Sequence, residues 1–302
     1  METDRGFWMH EGHLDVEGGT IYYRVDGPDD DGSRDGPADT IVWMHGLPLN
    51  GRAWYAQVEH FRGRFRNVTF DLRGYGRSSR LPAECTGVTD LYVSDLKTLF
   101  GHLALEQPVL VAHASGAHGA LRFAAEAPGL LGKLVVINGS PKFRRDRDWP
   151  FGFDQQAVDA FLHVIDSQDL ATIAKALLDP AMQEPCDAAI LAPLRALYTE
   201  MTQQAGRDTI RAFFTDISLD DDRESLARIT APTLILSSSL GREVPAGVAV
   251  YMRERIADAR LVELPGTDHF AFATQANLVN RLIEQFIRPS CDVVAPPAEA
   301  RP

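Results

Sequence analysis

The sequence predicts an α/β protein built on a mostly parallel sheet. Short apolar runs of strand length recur at residues 40–44, 67–71, 109–113, 133–138, 233–236 and 259–264. Helical stretches stand between several of them, and right-handed crossovers of that kind lay strands parallel. The alternation breaks once, where residues 141–222 read as helices only.

Taken in order, residues 20–25 (Thr-Ile-Tyr-Tyr-Arg-Val) form an early strand, expected to be antiparallel. Residues 40–44 are a buried strand, and the first crossover helix begins in 53–61. A second buried strand covers 67–71. The helix over 90–105 carries Leu91, Leu96, Leu99, Phe100 and Leu103 near helical spacing. Val109 opens a strand that turns sharply into a helix ending before Pro128. After the strand at 133–138, helices are expected at 155–165, 170–178, 188–202 and 209–215. The last strands are 233–236 and 259–264, and the final helix places Leu278, Val279, Leu282, Ile283 and Phe286 on one face. Beyond Arg288 the Ala- and Pro-rich tail, 289–302, is expected to be disordered.

Composition narrows the function. A chain of 302 residues is long for one domain but ordinary for an α/β fold. A net charge of −12 disfavours nucleic acid as a partner and reads as a solubility device, much of it in the loop 27–39. Cys85, Cys186 and Cys291 have neither metal-ligand nor redox spacing. The N-terminus lacks a signal-peptide pattern, and no run of ~18 apolar residues exists to cross a membrane. The expectation is a cytoplasmic protein, monomer or homodimer, acting on a small molecule with no cofactor and no metal.

Four motifs stand in order. Trp43-Met44-His45-Gly46-Leu47-Pro48 follows an apolar strand. Asp71-Leu72-Arg73-Gly74-Tyr75-Gly76-Arg77-Ser78 reads as a turn. Ala112-His113-Ala114-Ser115-Gly116 has the small–x–x–x–small frame of a strained strand-to-helix turn. Leu264-Pro265-Gly266-Thr267-Asp268-His269-Phe270 follows the last strand. Together they resemble the α/β-hydrolase superfamily over roughly residues 13–288. The resemblance implies an α/β-hydrolase fold: a mostly parallel eight-stranded sheet, with a core formed by 1–140 and 223–288 and an all-helical lid at 141–222. The lid entry, Phe143 and Trp149 to Phe153, resembles that of carboxylesterases acting on acyl chains, and Phe161, Phe213 and Phe214 add to an apolar lid.

The same resemblance assigns roles. His269 is the base, and the oxyanion hole is the backbone N–H of Ser115 plus that of Leu47. Ala114 occupies the nucleophile position, and a methyl group cannot attack a carbonyl. The acid position after the seventh strand is Gly241, four residues before Pro245. Asn138, at the end of the sixth strand, is the neutral alternative, and Glu243 lies two residues past the expected place. Making Ser115 the nucleophile would put His113 where the turn needs a small residue. His45, Gly46, His113, His118, Trp149, Phe151 and Phe270 are candidate substrate-binding residues. Asp71 and Arg73 are turn formers, and Asp268 is expected to point away from His269.

Loss of both nucleophile and acid, with base and oxyanion donors kept, points away from ordinary ester hydrolysis. A neutral histidine beside oxyanion donors can abstract a proton next to a carbonyl and stabilise the enolate. The expectation is therefore a cofactor-free elimination, C–C cleavage or cyclisation on a small, largely apolar carbonyl or ester. Two alternatives remain open: a carboxylesterase or lactonase-type hydrolase, as a Ser→Ala variant or acting through Ser115, and a catalytically inactive small-ligand-binding protein. A cavity joining His269, Ser115 and Ala114 favours an enzyme, and a histidine turned away from it favours a receptor.

Overall fold

The computed structural model describes residues 7–28, 39–81, 85–182 and 188–288. Most of the acidic loop at 27–39, Cys186, Cys291 and the tail at 289–302 lie outside them. Eight strands form one sheet: β1 (Phe7–Val16), β2 (Gly19–Pro28), β3 (Thr40–Met44), β4 (Arg66–Phe70), β5 (Val109–His113), β6 (Lys133–Ile137), β7 (Thr233–Ser238) and β8 (Ala259–Leu264). Their order is β1-β2-β4-β3-β5-β6-β7-β8. β1 and β2 are antiparallel to their neighbours, and β3 through β8 run parallel.

The apolar runs follow from burial on both faces. Val42, Met44, Leu110, Ala112, Leu134 and Val136 face one side and pack with residues of α2 (Val88–His102), α3 (Ala114–Glu126) and α8 (Ala246–Arg255). Their strand neighbours Ile41, Trp43, Val109, Val111, Val135 and Ile137 face the other side, with α1 (Tyr55–Phe61) and α10 (Ala276–Ile287). A strand covered twice cannot alternate with polar residues. Each fully buried Leu, Ile or Val contributes about 1.5–3 kcal/mol. Between β6 and β7 lie α4 (Gln155–Ser167), α5 (Leu170–Ala181), α6 (Ala188–Ala205) and α7 (Arg207–Leu219), and α9 (Ala271–Thr274) is a short turn before α10.

Two elements escape the sequence pattern. β1 is an edge strand paired on one side only, and Met9, His10, Glu11, His13 and Asp15 are exposed. It therefore carries no apolar run to announce it. α8 buries Val248, Ala249 and Met252, too short an apolar stripe to stand out. Among the described residues no helix is long and apolar enough to cross a membrane.

Candidate active site

The C-terminal ends of β3, β5, β6, β7 and β8 converge, as ligand sites do in parallel sheets. At their centre the chain turns from β5 straight into α3. Ala114 takes φ 51°, the left-handed region. That conformation costs an L-residue about 1–2 kcal/mol and marks Ala114 as the apex of the turn. Close backbone approach explains the small residues around it. A Cβ on Gly116 would stand 2.1 Å from the carbonyl oxygen of His45, and one on Gly46 would stand 2.7 Å from that of His113. The turn geometry is thus complete although its apex bears only a methyl group. The N-cap residue of α3, His113, makes no side-chain capping bond to its first-turn N–H groups.

His269 lies in the loop after β8. Its backbone carbonyl accepts from Asn138 Nδ2 and from His113 Nε2, both at 2.9 Å. Its N–H donates to the carbonyl of Ala181 at the end of α5, at 3.3 Å. The carboxylate facing its ring is Glu243: Nδ1 lies 3.8 Å from Oε2, beyond hydrogen-bond reach. Neither atom has a hydrogen-bond partner. The neutral alternative, Asn138, is therefore not at the ring: Nδ1 faces a carboxylate, with no hydrogen bond between them. Burial lowers the His269 pKa to about 4, so the imidazole is neutral at pH 7. Burial also raises the Glu243 carboxyl above its usual range.

Asn138 has a different task from the one expected. At φ 49° it hydrogen-bonds Ser238 through both ends of its amide, donating to Oγ and accepting from N–H, each at 2.8 Å. It ties β6 to β7 and to the backbone of His269, and leaves the ring alone. Asp268 accepts from the Phe270 N–H at 2.9 Å and so faces its own turn. Gly241 sits in a turn where an added Cβ would meet only ordinary contacts, the nearest at 3.5 Å.

A cavity of about 110 Å³ opens between the elbow and the helical segment. Leu47, Ala114, Ser115, Glu243, His269 and Phe270 form its polar end and floor, and Phe143, Phe153, Leu177, Phe214 and Ile217 form apolar walls. Of the residues expected to bind substrate, Phe270 alone lines it. Trp149 is buried behind the wall, donating from Nε1 to the Lys142 carbonyl at 3.1 Å and packing edge-on against Phe151 and Tyr251. Phe151 lies against the backbone of Gly247. His45 is a staple: its Nε2 accepts from the Leu72 N–H at 2.9 Å, and burial lowers its pKa to about 3. His113 packs among His269, Phe270 and Phe272, and burial holds it neutral.

His118 belongs to an ion cluster one turn along α3. Nδ1 donates to the Ser140 carbonyl at 2.9 Å, and Nε2 lies 2.9 Å from Asp222 and 3.4 Å from Asp220. Arg122 meets the same two carboxylates at 3.0 Å, and Asp90 at 2.6 Å. Nearby, Lys142 pairs with Asp221 at 2.8 Å, and the Asp222 N–H donates to the Pro141 carbonyl at 2.9 Å. The carboxylates outweigh desolvation and raise His118 from its ordinary 6.5 to about 9. A raised histidine pKa means stabilisation that is complete below about pH 6.5 and lost as pH rises through about 9. Asp222→Asn is expected to lower unfolding free energy at pH 7 by about 2 kcal/mol, because His118 and Arg122 each lose one of the two carboxylates they share and keep Asp220. It should also flatten the loss of stability between pH 6.5 and 9. Urea denaturation across that range checks both, and an unchanged midpoint would show that the cluster holds nothing.

Comparison with known proteins places the fold. The family model described as alpha/beta hydrolase fold matches residues 39–276. The chain is 29% identical over 254 residues to the AB hydrolase superfamily protein YisY of Bacillus subtilis (strain 168), covering 82% of this chain and 90% of that one. It is 26% identical over 237 residues to the pimeloyl-[acyl-carrier protein] methyl ester esterase of Nitrosomonas europaea, covering 78% and 91%. The bromoperoxidase structure from Bacillus anthracis superposes with a TM-score of 0.82 at 23% identity, covering 92% and 99%.

Proposed function

The chain belongs to the α/β-hydrolase fold family, and from that premise we propose that it is an enzyme using His269 as a general base on a small, neutral, largely apolar carbonyl compound, with no covalent acyl intermediate. One observation carries this reading: the cavity in which Ala114, Ser115, His269 and Glu243 meet. The neutral imidazole takes a proton from the carbon next to the carbonyl, and the electron pair moves onto the carbonyl oxygen. The N-terminus of α3 meets the negative charge that develops there. Glu243, facing Nδ1, stabilises the imidazolium once it forms, which leaves Nε2 for the substrate. The enolate can then expel a β-leaving group or be reprotonated; in a C–C cleavage the base would instead take the proton of a β-hydroxyl, and the enolate would form as the Cα–Cβ bond breaks.

The walls define the substrate class. Among the described residues no Lys or Arg lines the cavity, which favours a substrate without a carboxylate or phosphate. An apolar cavity of ~150 Å³ accepts benzene, so one of about 110 Å³ suits roughly five non-hydrogen atoms before α4 to α7 shift. In this reading the helical segment at 141–222 acts as the lid.

Two measurements test the proposal. Butanone in D₂O should exchange its α-protons faster with the protein than without it, read by proton NMR. A small fluorophosphonate probe should add no mass to the protein, because Ala114 offers no oxygen. Phosphonylation mapped to Ser115 would replace this reading with a serine hydrolase.

A further inference from the structure

The oxyanion hole is not an empty pair of backbone donors. The Leu47 N–H donates to Ser115 Oγ at 2.8 Å. A Cβ built on Gly46 would lie 3.1 Å from that same oxygen, so the hydroxyl is wedged between the β3 loop and the elbow. We infer that the Ser115 hydroxyl is the donor that meets the substrate oxygen, relaying the Leu47 N–H into the cavity. This rests on the reading of the cavity as a carbonyl site.

The argument is an accounting of one hydroxyl. It has one proton to give and two lone pairs to receive with. Leu47 takes a lone pair. Among the described residues no acceptor takes the proton, and Ser115 lines the cavity. The O–H is thus left to point at a ligand. Accepting a bond from Leu47 polarises the hydroxyl and makes it the stronger donor. The methyl group of Ala114 leaves the approach open and offers no competing hydroxyl. A substrate oxygen then meets two groups of one residue: the Ser115 O–H and its N–H in the first turn of α3.

The test uses butanone labelled with ¹³C at its carbonyl, bound to the wild type, Ser115→Ala and Ser115→Thr, with the carbonyl stretch read by isotope-edited infrared difference. The stretch should lie lowest in the wild type and Ser115→Thr, which keep the hydroxyl. In Ser115→Ala it should rise, with binding about fivefold weaker, the scale of one lost hydrogen bond. A lower stretch or tighter binding in Ser115→Ala would show that the hydroxyl plugs the hole and that Leu47 is the true donor. One frequency in all three proteins would show that Ser115 does not touch the oxygen. Failure of butanone to bind even the wild type would overturn the carbonyl reading of the cavity, and the inference with it.

Discussion

His269→Ala is expected to slow the exchange of butanone α-protons by about 10²-fold or more, the usual scale for loss of a positioned general base. The other buried ring beside it, His113, is committed through Nε2 to the His269 carbonyl and does not line the cavity. The pH profile carries more information than the loss itself. A base is active when unprotonated, so exchange should climb through about pH 4 and stay level above it. A limb near the ordinary 6.5 would mean that water reaches the ring and that the site is not closed. Glu243→Gln should move the limb lower still, because the imidazolium loses its facing carboxylate. If the profile is unmoved, Glu243 is a bystander at 3.8 Å.

Ala114→Ser is expected to turn a protein inert to fluorophosphonates into one labelled at residue 114. The turn already holds its apex at φ 51°, so the added hydroxyl is presented without rebuilding the backbone. Methyl acetate hydrolysis should appear at a low rate, since Glu243 stands off the ring. Adding Gly241→Asp should raise it by ~10-fold or more, because an orienting carboxylate secures both tautomer and charge in such a triad. A Cβ at the position makes only ordinary contacts, the nearest at 3.5 Å. Labelling of Ala114→Ser that survives His269→Ala would show that the ring does not activate the new oxygen. Equal hydrolysis by the single and double variants would mean that 241 is not the acid position, and would give that role to Glu243.

Much of the fold is legible in the sequence. The strand runs were readable because both faces of the sheet are covered, and the elbow because Ala112 and Gly116 flank its apex. The four helices between β6 and β7 fall where their periodicity puts them, each running two to four residues past its expected end. What was not legible depends on loops and on distant partners. Glu243 faces His269 because the chain after β7 bends that way, and no periodicity encodes a bend. His118 looked like a site residue beside the elbow, yet its role is set by Asp220 and Asp222, about a hundred positions away. The resemblance of the lid entry points to Trp149 and Phe151 as substrate-binding residues, but of that entry Phe143 and Phe153 are the ones that line the cavity.

The contacts of Pro141 and Lys142 with Asp222 and Asp221 have a wider consequence. They bring the two ends of the intervening segment together at one point on the sheet's rim. A stretch whose ends meet can be cut out, lengthened or exchanged without moving the strands it interrupts, as inserted domains are. The walls of the cavity come largely from that stretch, while the base and the elbow come from outside it. On the proposed reading, recombination at residues 141 and 222 is expected to trade one substrate preference for another and leave the chemistry in place. The same two positions are the natural junctions for building chimaeras with related proteins.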